Sequence, residues 1–220
     1  MGYTSFLAGL AIGSGGIAAM IAMPIAGNLV NRVSPKAILA FGIAVAAYAI
    51  HLMSQFNLFA DFSAIFWPRV VQGMGMGFLF IPLTTTTMSG IRKEEMGNAT
   101  AIFNLLRNLG GSFGVAFVTT MVARRSQFHQ FRLADHFTPF SRNLQEAAPQ
   151  ISQFLRERGF TPPHPGQGNL GLVYNQLLQQ ASMMAFNDAF YILSVMMILT
   201  LPFVLLVKRA KETTPPIGMD

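Results

Sequence analysis

Long apolar stretches alternate with short polar connections along the chain. Five stretches carry almost no charge, at about 3–29, 37–54, 62–89, 99–123 and 185–207. A helix needs roughly 20 mostly apolar residues to cross the hydrocarbon core of a bilayer. A helix on the surface of a water-soluble protein repeats a polar face every 3.6 residues or so. These stretches are apolar nearly all round, so lipid is their matching solvent, and five transmembrane helices are predicted. The first is not a secretory signal, because it has no basic leading segment and is too long.

The connections set the orientation, because Lys and Arg of short loops stay in the cytoplasm. Arg32 and Lys36 follow the first span, Arg92 and Lys93 the third, and Lys208, Arg209 and Lys211 the fifth. All fall on one side if the N-terminus is outside and the C-terminus is cytoplasmic. Arg124, Arg125 and Arg132 then lie outside, in the connection 124–184, but a loop of that length is weakly governed by charge. Within it, 141–158 reads as a surface helix. The segment 159–168, with its Pro and Gly, breaks it. Residues 170–184 place Leu170, Val173, Tyr174, Leu177 and Leu178 on one face, as an interfacial amphipathic helix would.

Composition agrees with this picture. Hydrophobic residues make up 52% of the 220 and charged residues 11%, against roughly 25% charged in ordinary soluble domains. With no Cys, disulfides and thiolate metal sites are excluded. The net charge of +6 is scattered over helix ends and forms no basic patch interleaved with aromatics, so nucleic acid is not an expected partner. The lipid bilayer is. His129 and His136 have only Asp135 near them in sequence, too little for a metal site. Ser, His and acidic residues show no nucleophile arrangement, so no enzyme is expected.

Polar residues inside the spans are the candidates for function, since a charge at membrane depth is costly and is usually there for a reason. Arg69 lies a turn or two inside the outer end of the third span, with Gln72 one turn on and on the same face. Arg107 lies deeper, about 12 Å from the inner end by helical rise, between Asn104 and Asn108. Interior placement is expected for this seam. Gly73, Gly75, Gly77, Gly110, Gly111 and Gly114 are read as packing residues that let helices approach closely. The alternating glycines are not a dinucleotide site, since no strand precedes them. Pro24, Pro82 and Pro202 fall inside spans and favour kinks. Asp188, near the start of the fifth span, reads as an outer-edge residue. Any proton-carrying carboxylate is therefore expected from elsewhere.

Three segments resemble a known family. Residues 27–36, with Gly27, Asn31, Arg32, Pro35 and Lys36, resemble the G-x-L-x-D-R-x-x-[GP]-[RK] loop of major facilitator transporters, with Asn31 in place of the Asp. Arg69, Gln72, Gly73 and Gly75 resemble that family's R-x-x-Q-G-x-G segment. Asn104, Arg107, Asn108, Gly110, Gly111 and Gly114 look like the corresponding segment of the fourteen-helix drug:proton antiporters, the Emr/Qac-type branch. The resemblance covers about 2–207. It implies an all-α membrane protein: five transmembrane helices of a six-helix major facilitator half, with a long outer loop before the last helix. Residues 1–123 would hold four helices, 124–184 a periplasmic loop, 185–207 the last helix and 208–220 a cytoplasmic tail.

The implied function is proton-coupled efflux of hydrophobic drugs or toxic compounds across a bacterial inner membrane, with this chain as a C-terminal fragment. Arg69, Gln72, Asn104, Arg107 and Asn108 would belong to the transport path and its coupling. Gly27, Asn31, Arg32 and Lys36 would form the inner gating loop. Phe78, Phe80 and Met74 could line a greasy cavity or face lipid. No cofactor is implied beyond the proton gradient. The implied partners are a hydrophobic small molecule, a missing N-terminal half, and a periplasmic membrane fusion protein with its outer-membrane channel. A membrane-embedded assembly module, or an inactive remnant without transport of its own, is the competing expectation.

Overall fold

The computed structural model describes residues 4–58, 60–136, 153 and 167–206. Helix α1 spans Ser5–Val30, α2 Pro35–Met53, α3 Phe62–Met88, α4 Met96–His136, α5 Gln167–Leu199 and α6 Leu201–Leu206. A single 3-10 turn, Lys93–Glu95, precedes α4. The described residues contain no strand. Five segments are long and apolar enough to cross a membrane: Ser5–Val30, Pro35–Met53, Phe62–Met88, Lys93–Asp135 and Tyr174–Val204. The surface helix expected at 141–158, most of the break at 159–168 and the tail 208–220 lie outside the described residues.

Local chemistry sets the helix ends. Thr4 caps α1 by accepting the Leu7 N–H at 3.4 Å. Pro35 opens α2, where its missing N–H would have had no helical partner anyway. Gly90, at φ 93°, takes the chain out of α3 through a conformation that side chains with a Cβ rarely adopt. Pro202 cannot donate to the preceding turn, and the last span is divided there into α5 and α6. The Thr200 hydroxyl turns back onto the Met197 carbonyl at 2.6 Å.

The last two long helices extend beyond the predicted spans. Helix α4 continues past the expected end at Ala123 as far as His136, and α5 begins at Gln167, well before the expected start at Ala185. The 170–184 segment is thus continuous with the final crossing.

The described residues fall into two compact units, one drawn from Met1–Ala116 with Phe190–Asp220, the other from Phe117–Ala189. In the first, α3 packs along both α1 and α2, while α1 and α2 hardly touch each other. Most of the buried residues are small: Ala11, Ser14, Ala18, Ala22 and Ala26 on α1; Gly42, Ala46, Ala47 and Ala49 on α2, beside Ile38, Ile43 and Met53; Gly73, Gly75 and Gly77 on α3, beside Pro68 and Pro82. Many bulky residues point outward, with Phe6, Met20, Ile12 and Trp67 all more than 60% exposed. A soluble core is arranged the other way round. In lipid, apolar burial between helices gains little, so close backbone approach drives association instead.

The alternating glycines of α3 show how this works. Residues four apart share a helix face, and the residue midway between them points to the other side. A methyl placed on Gly77 would sit 2.6 Å from the Ala22 side chain, and one on Gly73 would strike the Gly15 carbonyl, so both face α1. A methyl on Gly75 would sit 2.7 Å from the Ala46 nitrogen, so Gly75 faces α2. The register also fixes direction. Going from Gly73 to Gly77, the partners on α1 run from Gly15 to Ala22, so α1 and α3 are parallel. Gly42 meets Phe78 and Leu79 while Ala46 meets Gly75, so α2 runs antiparallel to both. The basic ends after α1 and after α3 therefore lie at one end of the bundle.

In the second unit, Leu177, Ala181, Ala185 and Ala189 of α5 are buried at every fourth position. Tyr174 of α5 accepts a hydrogen bond through its hydroxyl from Gln130 Nε2 of α4 at 2.9 Å.

Candidate functional site

Arg69 and Gln72 meet as their spacing suggests, Arg69 Nη1 donating to Gln72 Oε1 at 3.3 Å in a half-buried setting. The Arg69 carbonyl lies against α1 where a Cβ on Gly15 would come within 3.0 Å of it. Arg69 therefore stands on α3 at the level of Gly15 of α1, about one turn from Gly73, which meets the same glycine.

Along α4 the residues Asn104, Arg107, Asn108, Gly110, Gly111 and Gly114 are all exposed. The Arg107 guanidinium carbon lies 4.8 Å from the centre of the Phe80 ring of α3. That is cation–π range, in which the negative face of the ring attracts the charge. The structure does not bring Arg107 to Gln72, which is engaged by Arg69. A methyl on Gly110, Gly111 or Gly114 would meet nothing within 4 Å. Within this chain these glycines leave an open, smooth face beside the polar seam rather than a helix contact. Phe78 stacks edge-on against Phe41 with ring centres 5.4 Å apart, while Met74 is 42% exposed.

The 27–36 segment closes α1 and opens α2. Asn31 caps α1, its N–H reaching the Leu29 carbonyl, and Val33 N–H bonds the same carbonyl at 2.8 Å. Ser34 occupies the cap position of α2 and Pro35 its first turn. The result is a tight helical hairpin with Arg32 exposed at its tip. A methyl on Gly27 would meet nothing within 4 Å.

The hydroxyl-rich end of α3 needs no partner from another helix. Thr84 donates to the Phe80 carbonyl at 2.8 Å, Thr85 to Ile81 at 2.9 Å and Thr87 to Leu83 at 2.7 Å. Such back-bonding satisfies polar groups within the helix itself and helps bend it, here next to Pro82, which takes one donor from the ladder.

Sequence reasoning missed a charged cluster in the second unit. Asp188 Oδ2 lies 2.8 Å from His129 Nε2 and 3.6 Å from Arg125 Nε. Asp188 stands within α5, which begins well before Ala185, and this is what brings it alongside α4. Among the described residues no group of three or more His, Cys, Asp or Glu could hold a metal ion.

A family model described as Major Facilitator Superfamily matches residues 1–115. Among curated proteins, the fatty acid resistance protein FarB of Neisseria gonorrhoeae is 32% identical over 94% of this chain and 39% of its own length. The multidrug export protein EmrB of Escherichia coli K12 is 29% identical over 99% of this chain and 40% of its own length. The probable multidrug resistance protein EmrY of the same organism is 27% identical over 90% and 38%. The chain thus spans about two fifths of the length of the curated relatives it matches.

Proposed function

Because the chain belongs to the Major Facilitator Superfamily, we propose that it serves as the C-terminal portion of a proton-driven exporter of hydrophobic compounds. The observation that carries this reading is similarity along nearly the whole chain, 94% of it against the fatty acid resistance protein FarB and 99% against the multidrug export protein EmrB. The names of those proteins point to fatty acids and to drugs, and the chemistry they share is an apolar body with a polar or ionised head. Exposed Phe and Met side chains beside the Arg107 seam suit such a molecule.

In this reading α1, α2 and α3 form a stiff unit locked by glycine contacts. The α4 seam of Asn104, Arg107 and Asn108 faces the helices that complete the transporter, and Arg69 with Gln72 tunes the coupling path. The hairpin from Gly27 to Lys36, carrying Asn31 and Arg32, latches the cytoplasmic gate. The N-terminus is outside the bacterial inner membrane, the C-terminus is inside, and the 124–184 segment faces a periplasmic membrane fusion protein that leads to an outer-membrane channel. Substrate binds between two halves that rock about a central site.

The test uses cells stripped of their own drug pumps. The chain alone should insert without conferring tolerance. Joined in frame to the first nine helices of an EmrB-type relative, it should restore proton-dependent dye efflux. A joined protein that reaches the membrane at normal levels yet exports nothing refutes the proposal. Efflux by the chain alone refutes its role as a portion of a larger machine.

A further inference from the structure

We propose that Trp67, backed by Phe66 and Phe62, binds the ester and headgroup zone of the bilayer's phospholipids, at the end of the first bundle opposite its basic residues. Helix length and helix register carry this. Helix α2 has 19 residues, about 28 Å by helical rise, and the hydrocarbon of a bilayer is about 30 Å thick. Polar residues close α2 at both ends, Ser34 and Lys36 at one, Ser54 and Gln55 at the other. This helix just fits the hydrocarbon, so its ends mark the two faces. Helix α3 has 27 residues, about 40 Å, and has to overshoot.

The glycine contacts locate the surplus. Gly75 of α3 faces Ala46 of α2, and the two helices are antiparallel. Ser54 lies eight residues on from Ala46 and Trp67 eight back from Gly75, so the two stand at one level. In the other direction Pro35, where α2 opens, is level with Thr86, and α3 ends soon after, at Met88. Most of the surplus is therefore at the Phe62 end, about 7 Å of helix beyond Trp67.

That surplus is aromatic. Trp67 meets Phe66 edge-on with ring centres 5.7 Å apart, and Phe66 lies 5.6 Å from Phe62. Trp67 is 62% exposed. A helical side chain leans toward the N-terminus of its helix, here away from the middle of the bilayer. Indole joins an apolar body to one N–H donor, which suits the zone where acyl chains give way to ester oxygens. Basic anchors serve the other end, where Arg32, Lys36, Arg92 and Lys93 lie. The nearest cation to Trp67 in sequence, Arg69, donates to Gln72, one turn deeper.

Trp67 is the only Trp of the chain, so indole emission reports on it alone. The purified full chain is placed in nanodiscs of phosphatidylcholine brominated near the ester, at mid-chain or near the terminal methyl. Loss of emission should be largest with the bromines near the ester and smallest with those near the methyl. Trp67→Phe combined with Met74→Trp moves the indole seven residues along α3, about 10 Å deeper, and should move the largest loss to the deeper bromines. In the native chain, a largest loss with mid-chain or terminal bromines overturns the proposal. So does weak and equal quenching at every depth, which places the ring in water or under protein. The readout uses no substrate and no gradient and is the same in either leaflet, so failure here leaves the transport reading and the topology standing.

Discussion

Adding a single methyl at Gly75 should separate α2 from α3, while the same change at Gly16 should do nothing of the kind. A Cβ on Gly75 would lie 2.7 Å from the Ala46 nitrogen and 2.9 Å from its Cα, backbone atoms that cannot rotate away, whereas one on Gly16 would meet nothing within 4 Å. Ordinary contact begins near 3.5 Å, so α2 has to move by about 1 Å. Overpacking of this kind costs about 1–3 kcal/mol. Replacing Gly by Ala inside a helix also gains up to about 1 kcal/mol of helix propensity. That gain is common to both variants and cancels in their difference. For a chain of this size the difference corresponds to roughly 2–4 °C of melting midpoint per kcal/mol. Gly75→Ala should therefore melt about 2–12 °C below Gly16→Ala when the purified chain is heated in detergent and the folded fraction is read by size-exclusion chromatography. Equal midpoints for the two variants would refute the idea that the α3 glycines act through close backbone contact.

Other outcomes follow from the loop charges and from the structure. Cys introduced singly at Ser152 should react with an impermeant thiol reagent in intact cells and Cys at Ser34 should not; the reverse pattern inverts the proposed topology. In a complete, active transporter, Arg107→Lys should impair export and Arg107→Ala should abolish it at near-normal membrane levels, because Lys keeps the charge but not the planar face that stacks on Phe80. Wild-type export by Arg107→Ala would make that arginine a passenger. Thr85→Val should change the melting midpoint by less than the glycine variants do, since its hydroxyl bonds only its own helix; a loss as large as that of Gly75→Ala would show an unrecognised partner.

The five crossings were legible because apolar length is written directly in the sequence. The α3 glycines could also be picked out, though only the structure shows that Gly73 and Gly77 serve one neighbour and Gly75 another. The His129–Asp188 pair was not found. Hydropathy ended the fourth span at Arg124 and opened the fifth at Ala185, which left His129 in a loop and Asp188 at an edge. A helix, however, ends where its backbone is interrupted, not where charge begins. Between Gly114 and Pro139 there is neither Gly nor Pro, and none occurs between Gly171 and Pro202. Those two uninterrupted runs were the available signal. The pairing itself joins residues 59 apart in sequence, and helical periodicity says nothing over such a separation. Arg107 shows a different limit: spacing identifies a polar seam, but its stacking partner on another helix depends on tertiary register.

The sandwich order of the first bundle has a consequence for how the chain is made. Helices α1 and α2 are synthesised before α3 and joined by a tight turn, yet each rests on α3 and hardly on the other. When this hairpin enters the bilayer, the surface each helix is built to fit does not yet exist. The two wait in lipid as neighbours held by their connection, with Gly15, Ala22, Gly42 and Ala46 open to acyl chains. Only the arrival of α3 lets both dock, and it does so on two faces in one event. A chain cut short before Phe62 thus leaves two inserted but undocked helices, a ready substrate for membrane quality control, whereas one cut after Gly90 retains all three helices of this bundle.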